Sequence, residues 1–164
     1  MARGPSVTTR AGRASFGKAR FSSQIDAWVN QTERRINAVF RLSTQKVISY
    51  MQENVPVRDG FLRASLVVLV NQDPPKADKT DEDGLGPYTD AYMKMALAGA
   101  VAGDRIVSAY TMVYARRLEY GFTGTDSLGR SYNQPPRGWT RAAAARWNEA
   151  VQEATKEAIA RSGQ

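Results

Sequence analysis

Residues 24–54, QIDAWVNQTERRINAVFRLSTQKVISYMQEN, decide the fold. Ile25, Trp28, Val29, Ile36, Val39, Phe40, Val47, Tyr50 and Met51 recur at three- and four-residue steps. Glu33, Arg34, Arg41, Gln45 and Lys46 fill the other faces, which is the pattern of an amphipathic helix. Ser23 followed by Asp26 reads as a capping-box start, and Pro56 as the stop. About 30 residues at ~1.5 Å of rise span roughly 45 Å, more than a compact domain of this size needs. Part of the apolar stripe is therefore expected to be buried only against another subunit.

Downstream, Asp59-Gly60 signals a turn, and Phe61 to Val70 reads as a strand whose Leu66–Val70 run is apolar on both faces and expected to be covered on both. Pro74, Pro75, Gly84, Gly86 and Pro87 make residues 71–87 a loop. A short helix is expected from Thr89 to about Ala100, and a second strand from Arg105 to Tyr114. The polar, glycine-rich stretch 122–138 reads as a loop of about 17 residues, a length usually tied to function or to a partner. The last helix is expected from Thr140 to about Arg161, with Ala143, Trp147, Ala150, Val151, Ala154 and Ala158 on one stripe. Glu153 with Lys156 and Glu157 with Arg161 stand at ion-pair spacing along it. The sum is an α+β fold, a small β-sheet packed by a long N-terminal helix and a C-terminal helix, with long loops.

At 164 residues the chain fits one domain, which at that size buries roughly 70% of the surface of its unfolded chain. It has no cysteine and no histidine, so disulfides, cysteine-ligated zinc, a thiolate nucleophile and an imidazole base are all excluded. The net charge of +7 is uneven. Arg3, Arg10, Arg13, Lys18 and Arg20 stand in residues 1–20 without an acid, while Asp73, Asp78, Asp81, Glu82, Asp83 and Asp90 crowd the central loop. Residues 1–21 are read as a flexible basic arm and residues 22–164 as the single domain. The arm's five cations are candidates for contact with DNA phosphates or an acidic neighbouring subunit, with a solvated tail as the plain alternative. No apolar run approaches the ~20 residues of a membrane span, and no apolar stretch follows the basic N-terminus as in a secretory signal. A soluble, cytoplasmic chain is expected.

Candidate chemistry is sparse. Asp81-Glu82-Asp83-Gly84 imitates the inside of a calcium loop, but the alignment puts Lys79 at the first ligand position and Asp90 where a bidentate Glu belongs. Glu119 is a conceivable general base without an imidazole or a strongly placed second carboxylate to work with. It is better read as structural, paired with Arg116 or accepting backbone bonds. Gly121, Gly124 and Gly129 lack any phosphate-binding signature. Trp28 and Trp147 lie on helix stripes, where a core role is expected. No cofactor and no enzymatic turnover are expected.

Two segments carry a resemblance. Pro56-Val57-Arg58-Asp59-Gly60-Phe61-Leu62-Arg63-Ala64-Ser65-Leu66 resembles the P-V-x-T-G-x-L-R-x-S stretch of the tail-completion and head-tail connector proteins of tailed bacteriophages, which include the lambda-type minor tail protein Z group. Gly103-Asp104-Arg105-Ile106, then Tyr114-Ala115-Arg116-Arg117-Leu118-Glu119-Tyr120-Gly121, then Gln134-Pro135-Pro136-Arg137-Gly138, is similar to that family's G-D, Y-A-x-x-L-E-Y-G and Q-x-P-x-G succession. Asp59 replaces the family's usual Thr, and Thr123–Tyr132 is an insertion.

The resemblance implies a virion structural protein at the neck. Several copies, six to match tail symmetry, would form a ring around the DNA channel, between a head-side portal, adaptor or stopper and a tail-side terminator or tube protein. It would be assembled in the cytoplasm of a bacterial host. It nominates Asp59, Arg63, Tyr114 and Arg117, with Glu119, Tyr120, Gln134 and Pro136, as subunit or partner contacts. The competing readings are a basic DNA-binding protein without catalytic activity and, last, an acid/base hydrolase using Glu119 and the acidic loop.

Overall fold

The computed structural model describes residues 11–81 and 86–162. The chain divides into two compact units, Met1–Ile36 and Asn37–Gln164. The expected boundary between residues 21 and 22 therefore lies within the first unit.

Helix α1 runs Ala11–Asn54. It starts well before Ser23 because no Pro or Gly stands between Gly17 and Pro56. Instead of capping a helix, the Ser23 hydroxyl donates to the Arg20 carbonyl of the same helix at 2.8 Å. Residues 11–21, read as part of a flexible arm, carry helical backbone, and residues 1–10 lie outside the described residues.

In the second unit, α1 buries Ser43, Thr44, Ile48, Met51 and Gln52. Ser43 and Thr44 satisfy their hydroxyls on the Val39 and Phe40 carbonyls one turn back, at 2.7 and 2.9 Å. Gln52 ties three pieces together. Its amide donates to the Arg63 carbonyl at 3.1 Å, and its oxygen accepts the Tyr110 hydroxyl at 3.3 Å.

Gly60, at φ +86°, turns the chain into the single helical turn α2 (Phe61–Ala64), where a strand was expected. Strand β1 is Leu66–Val70, the apolar run itself, and is shorter than the Phe61–Val70 strand expected. It pairs antiparallel with β2 (Ile106–Tyr110), Leu66 opposite Tyr110 and Val70 opposite Ile106. One sheet face, with Leu66, Val68 and Tyr110, is buried, and α3 (Asp90–Leu97) packs on β1 with Met93 and Leu97 fully inside. The opposite face, Val67, Leu69, Val107 and Ala109, is only half-buried, so the sheet is not fully covered on both sides.

Beyond β1, the place beside β2's continuation is taken by Lys79. Its N–H donates to the Thr111 carbonyl at 2.9 Å, and its carbonyl accepts the Val113 N–H at 3.0 Å.

Helix α4 (Ala115–Tyr120) leads into strands β3 (Phe122–Thr125) and β4 (Ser131–Gln134), an antiparallel hairpin in the stretch expected to be a loop. The C-terminal helix is divided at Arg146 into α5 (Trp139–Ala145) and α6 (Trp147–Ser162). Trp139, Ala143, Ala150 and Ala154 are buried, whereas Trp147 is exposed and meets Phe40 edge-on at 6.3 Å. Lys46 of α1 joins this helix to the core, 3.1 Å from Glu153 and 2.6 Å from Glu157. Glu153 thus pairs across helices with Lys46, while Glu157 also keeps its expected neighbour Arg161 at 3.6 Å. An α+β fold with small antiparallel sheets, a long N-terminal helix and a C-terminal helix is what the chain adopts.

Candidate functional site: the α4–hairpin–α5 clasp

The two halves of the second motif, residues 114–121 and 134–138, are one structure. Helix α4 ends at Tyr120, and its last carbonyls are satisfied by the segment that enters α5. The Arg137 N–H donates to the Leu118 carbonyl at 2.9 Å, and the Gly138 N–H to the Glu119 carbonyl at 3.1 Å. Glu119 returns the arrangement from its side chain. Oε2 accepts the Thr140 N–H at 3.1 Å and Oε1 the Arg141 N–H at 3.2 Å, two of the orphan donors in the first turn of α5. Arg141 completes it, donating from Nε to Oε1 at 3.1 Å and from Nη2 to the Glu119 carbonyl at 3.1 Å.

This makes Glu119, 4% exposed, a cap for a helix 20 residues away in sequence. Burial pushes its carboxyl up, but the hydrogen bonds from Thr140 and Arg141 outweigh that and hold it below the ordinary carboxylate value. Its ion-pair partner is Arg141, not Arg116. Of the nominated partner contacts, Glu119 is the one whose carboxylate oxygens bond to Thr140 and Arg141 of its own chain.

Gly121 explains the rest of the motif. At φ +80°, a Cβ placed there would lie 2.8 Å from the Gln134 carbonyl oxygen and 3.0 Å from the Pro136 nitrogen, so only glycine lets the two strand ends approach. Gln134 and Pro136 are accordingly packed against Gly121. The hairpin is closed by Asp126, whose Oδ1 accepts the N–H groups of Leu128 and Arg130, each at 2.9 Å. Its Oδ2 accepts Arg130 Nε at 2.7 Å and the Tyr132 hydroxyl at 3.0 Å. Those bonds, the Arg130 N–H first, hold the Asp126 carboxyl below its usual range. Behind the clasp, Trp139 is buried and packs edge-on against Tyr110 at 5.6 Å, fastening α5 to the sheet.

Of the other nominated contacts, Arg117 and Tyr120 lie on the outer surface of the clasp, Arg117 over Phe122 at 4.6 Å and Tyr120 under Arg141 at 4.8 Å. Tyr114, half-buried at the start of α4, donates to Asp81 at 3.4 Å. Burial, then the Asp81 and Asp59 carboxylates, push its hydroxyl pKa up, while Asp59 itself is paired with Arg58. Arg63 is exposed on α2 and joins the frame through its backbone carbonyl.

Of the basic arm, Arg3 and Arg10 lie outside the described residues, Arg13 and Lys18 stand on α1, and Arg20 is exposed there. Most of the calcium-like segment, residues 82–84, also lies outside them. Among the described residues no group of three or more acidic, His or Cys side chains is arranged to hold a metal, and no helix is long and apolar enough to cross a membrane.

Trp28, expected in the core, is exposed, as is the part of the α1 stripe around it, in keeping with the expectation that some of that stripe is not buried within the chain. In the first unit, Phe21, Ile25, Trp28, Val29 and Ile36 form one stripe of α1, and all are exposed, Trp28 by 64%. The buried tryptophan of the domain is Trp139. Its position directly after the Gln-Pro-Pro-Arg-Gly segment was the available signal. Comparison with protein-family models, with curated proteins and with solved structures finds no match to this chain.

Proposed function

We propose that this protein is a structural subunit of the neck of a tailed bacteriophage, forming a ring, with six copies, that completes the tail and joins it to the head around the DNA channel. The observation that carries the reading is the uncovered stripe of α1. Residues 21–36 repeat the apolar periodicity that residues 39–51 use to build the core, yet Phe21, Ile25, Trp28, Val29 and Ile36 are all exposed. A helix of 44 residues with half of its apolar stripe uncovered suits a subunit that completes its burial against copies of itself.

The clasp supports the same reading. Residues 114–121 and 134–138, two of the stretches that resemble the connector family, are joined through Glu119 and Gly121 into one hydrogen-bonded element, which suits an architectural role rather than chemistry. Its head-side partner would be a portal, adaptor or stopper protein, and its tail-side partner a terminator or tube protein. The place of action would be the virion, after assembly in the host cytoplasm.

Negative-stain electron microscopy of the concentrated protein tests this. Annular particles with a central channel are expected, and a field of particles no larger than the 18.1 kDa chain, with or without isolated tails, would contradict the reading.

A further inference from the structure

The outer surface of the clasp concentrates arginine. Between residues 114 and 141 the chain carries Arg116, Arg117, Arg130, Arg137 and Arg141 against only two carboxylates, Glu119 and Asp126. Both carboxylates are already used, Glu119 by Arg141 and Asp126 by Arg130. Arg116, Arg117 and Arg137 are exposed, and among the described residues none pairs with a carboxylate. Arg137 reaches the rest of the clasp through its backbone N–H alone, leaving its guanidinium outward.

Aromatic faces are interleaved with these cations. Tyr120, 60% exposed, stands one helical turn from Arg116 and under Arg141, and Arg117 lies over Phe122, which meets Tyr132 at 6.1 Å. On the Tyr114 side, at the opposite end of α4 from Tyr120, Asp81 accepts the Tyr114 hydroxyl.

We infer that this face binds the sugar-phosphate backbone of duplex DNA without regard to sequence. Three exposed guanidiniums without a carboxylate partner, carried by one short stretch of the fold, suit a phosphate row, which offers the bidentate acceptors that arginine prefers. The ring-stacked positions of Arg117 and Arg141 restrict their rotamers, so little freedom is lost on binding. Nothing in the clasp is a recognition helix aimed at base edges, which makes phosphate the target. The choice of DNA as the polyanion rests on the neck reading, in which duplex passes through the ring. The cationic face itself does not.

The test is fluorescence anisotropy of a 5′-labelled random-sequence duplex with the full chain and with its Arg116→Gln/Arg117→Gln/Arg137→Gln variant, titrated over a series of salt concentrations. These three side chains make none of the clasp's hydrogen bonds, and an unchanged thermal midpoint verifies the fold. If the midpoint falls, Arg137→Gln alone serves as the second variant. Each lost phosphate contact flattens the logarithmic salt dependence by about 0.9, so the triple variant should lose roughly 2–3 in slope and at least about tenfold in affinity at 0.1 M salt. The single variant should lose about 0.9 in slope.

Unchanged slope and affinity would overturn the inference. So would tighter binding of poly-glutamate than of duplex through these arginines, which would assign the face to an acidic protein. Oligomeric mass is read on the same samples. A ring whose DNA binding ignores the substitutions refutes the face and spares the neck reading, whereas a monomer whose DNA binding depends on them does the reverse.

Discussion

Glu119 and Arg141 meet twice, through Nε to the carboxylate and through Nη2 to the carbonyl of the same glutamate, each at 3.1 Å. The side-chain bond ties Arg141 to the charge on Glu119, and the backbone bond fixes it at the end of α4. The two residues therefore act as a unit that closes one helix and opens another.

Glu119→Gln removes the charge and leaves an amide donor facing the donors of Thr140 and Arg141. A destabilisation of about 1–3 kcal/mol is expected, the scale of one lost charge-assisted bond at a buried site. The hydrogen bonds lower the carboxyl pKa in the folded state, so its contribution is fully present above the ordinary value of 4.5 and is lost as pH falls through the lowered value. Urea midpoints of the two proteins should differ at pH 7 and converge in strong acid. A gap that persists unchanged at low pH would contradict the capping role.

Gly121→Ala should cost more than Gly129→Ala. Both glycines have positive φ, +80° and +77°, so both substitutions carry the ~1 kcal/mol strain of a left-handed residue. Only at Gly121 does the new methyl also meet backbone, at 2.8 and 3.0 Å, which adds about 1–3 kcal/mol. Equal thermal midpoints for the two variants would count against the close approach.

Lys46→Met should weaken the attachment of α6 to α1 in a salt-dependent way. The bonds to Glu157 and Glu153 raise the Lys46 pKa, so its contribution is present below the ordinary 10.5 and fades as pH rises through the raised value. Glu157 is lowered by the same bond, so its share is present above 4.5 and fades as pH falls through the lowered value. The stability gap between the two proteins should be widest between those limits and narrow in high salt. A gap that widens with salt would exclude the ion pair as its cause.

Much of this fold is legible in the sequence because burial imposes a period. The α1 repeat through Ile48 and Met51, the β-branched cores of β1 and β2, and the alanine stripe of α5 and α6 all follow from it. Three features escaped for identifiable reasons. The start of α1 lies at Ala11 because Ser23 offers capping chemistry that an unbroken helix does not use. The β3–β4 hairpin has too few apolar residues to alternate, and its signal was the turn, Asp126 with Gly129 three residues on. The site was half visible. Tyr114 to Gly121 and Gln134 to Gly138 stood out as motifs, but local spacing pointed Glu119 at Arg116, and only the fold brings Arg141 to it across 22 residues.

The neck reading stands most directly on the mass of the full chain in solution, measured beside an Ile25→Ser/Trp28→Ser variant. Both side chains are exposed, so the variant should change in stability by no more than about 0.5 kcal/mol. The account predicts one closed species at six times 18.1 kDa for the natural sequence, broken to single chains by the two substitutions. A natural chain that stays at 18.1 kDa at its highest soluble concentration, or a closed assembly indifferent to both substitutions, would contradict it.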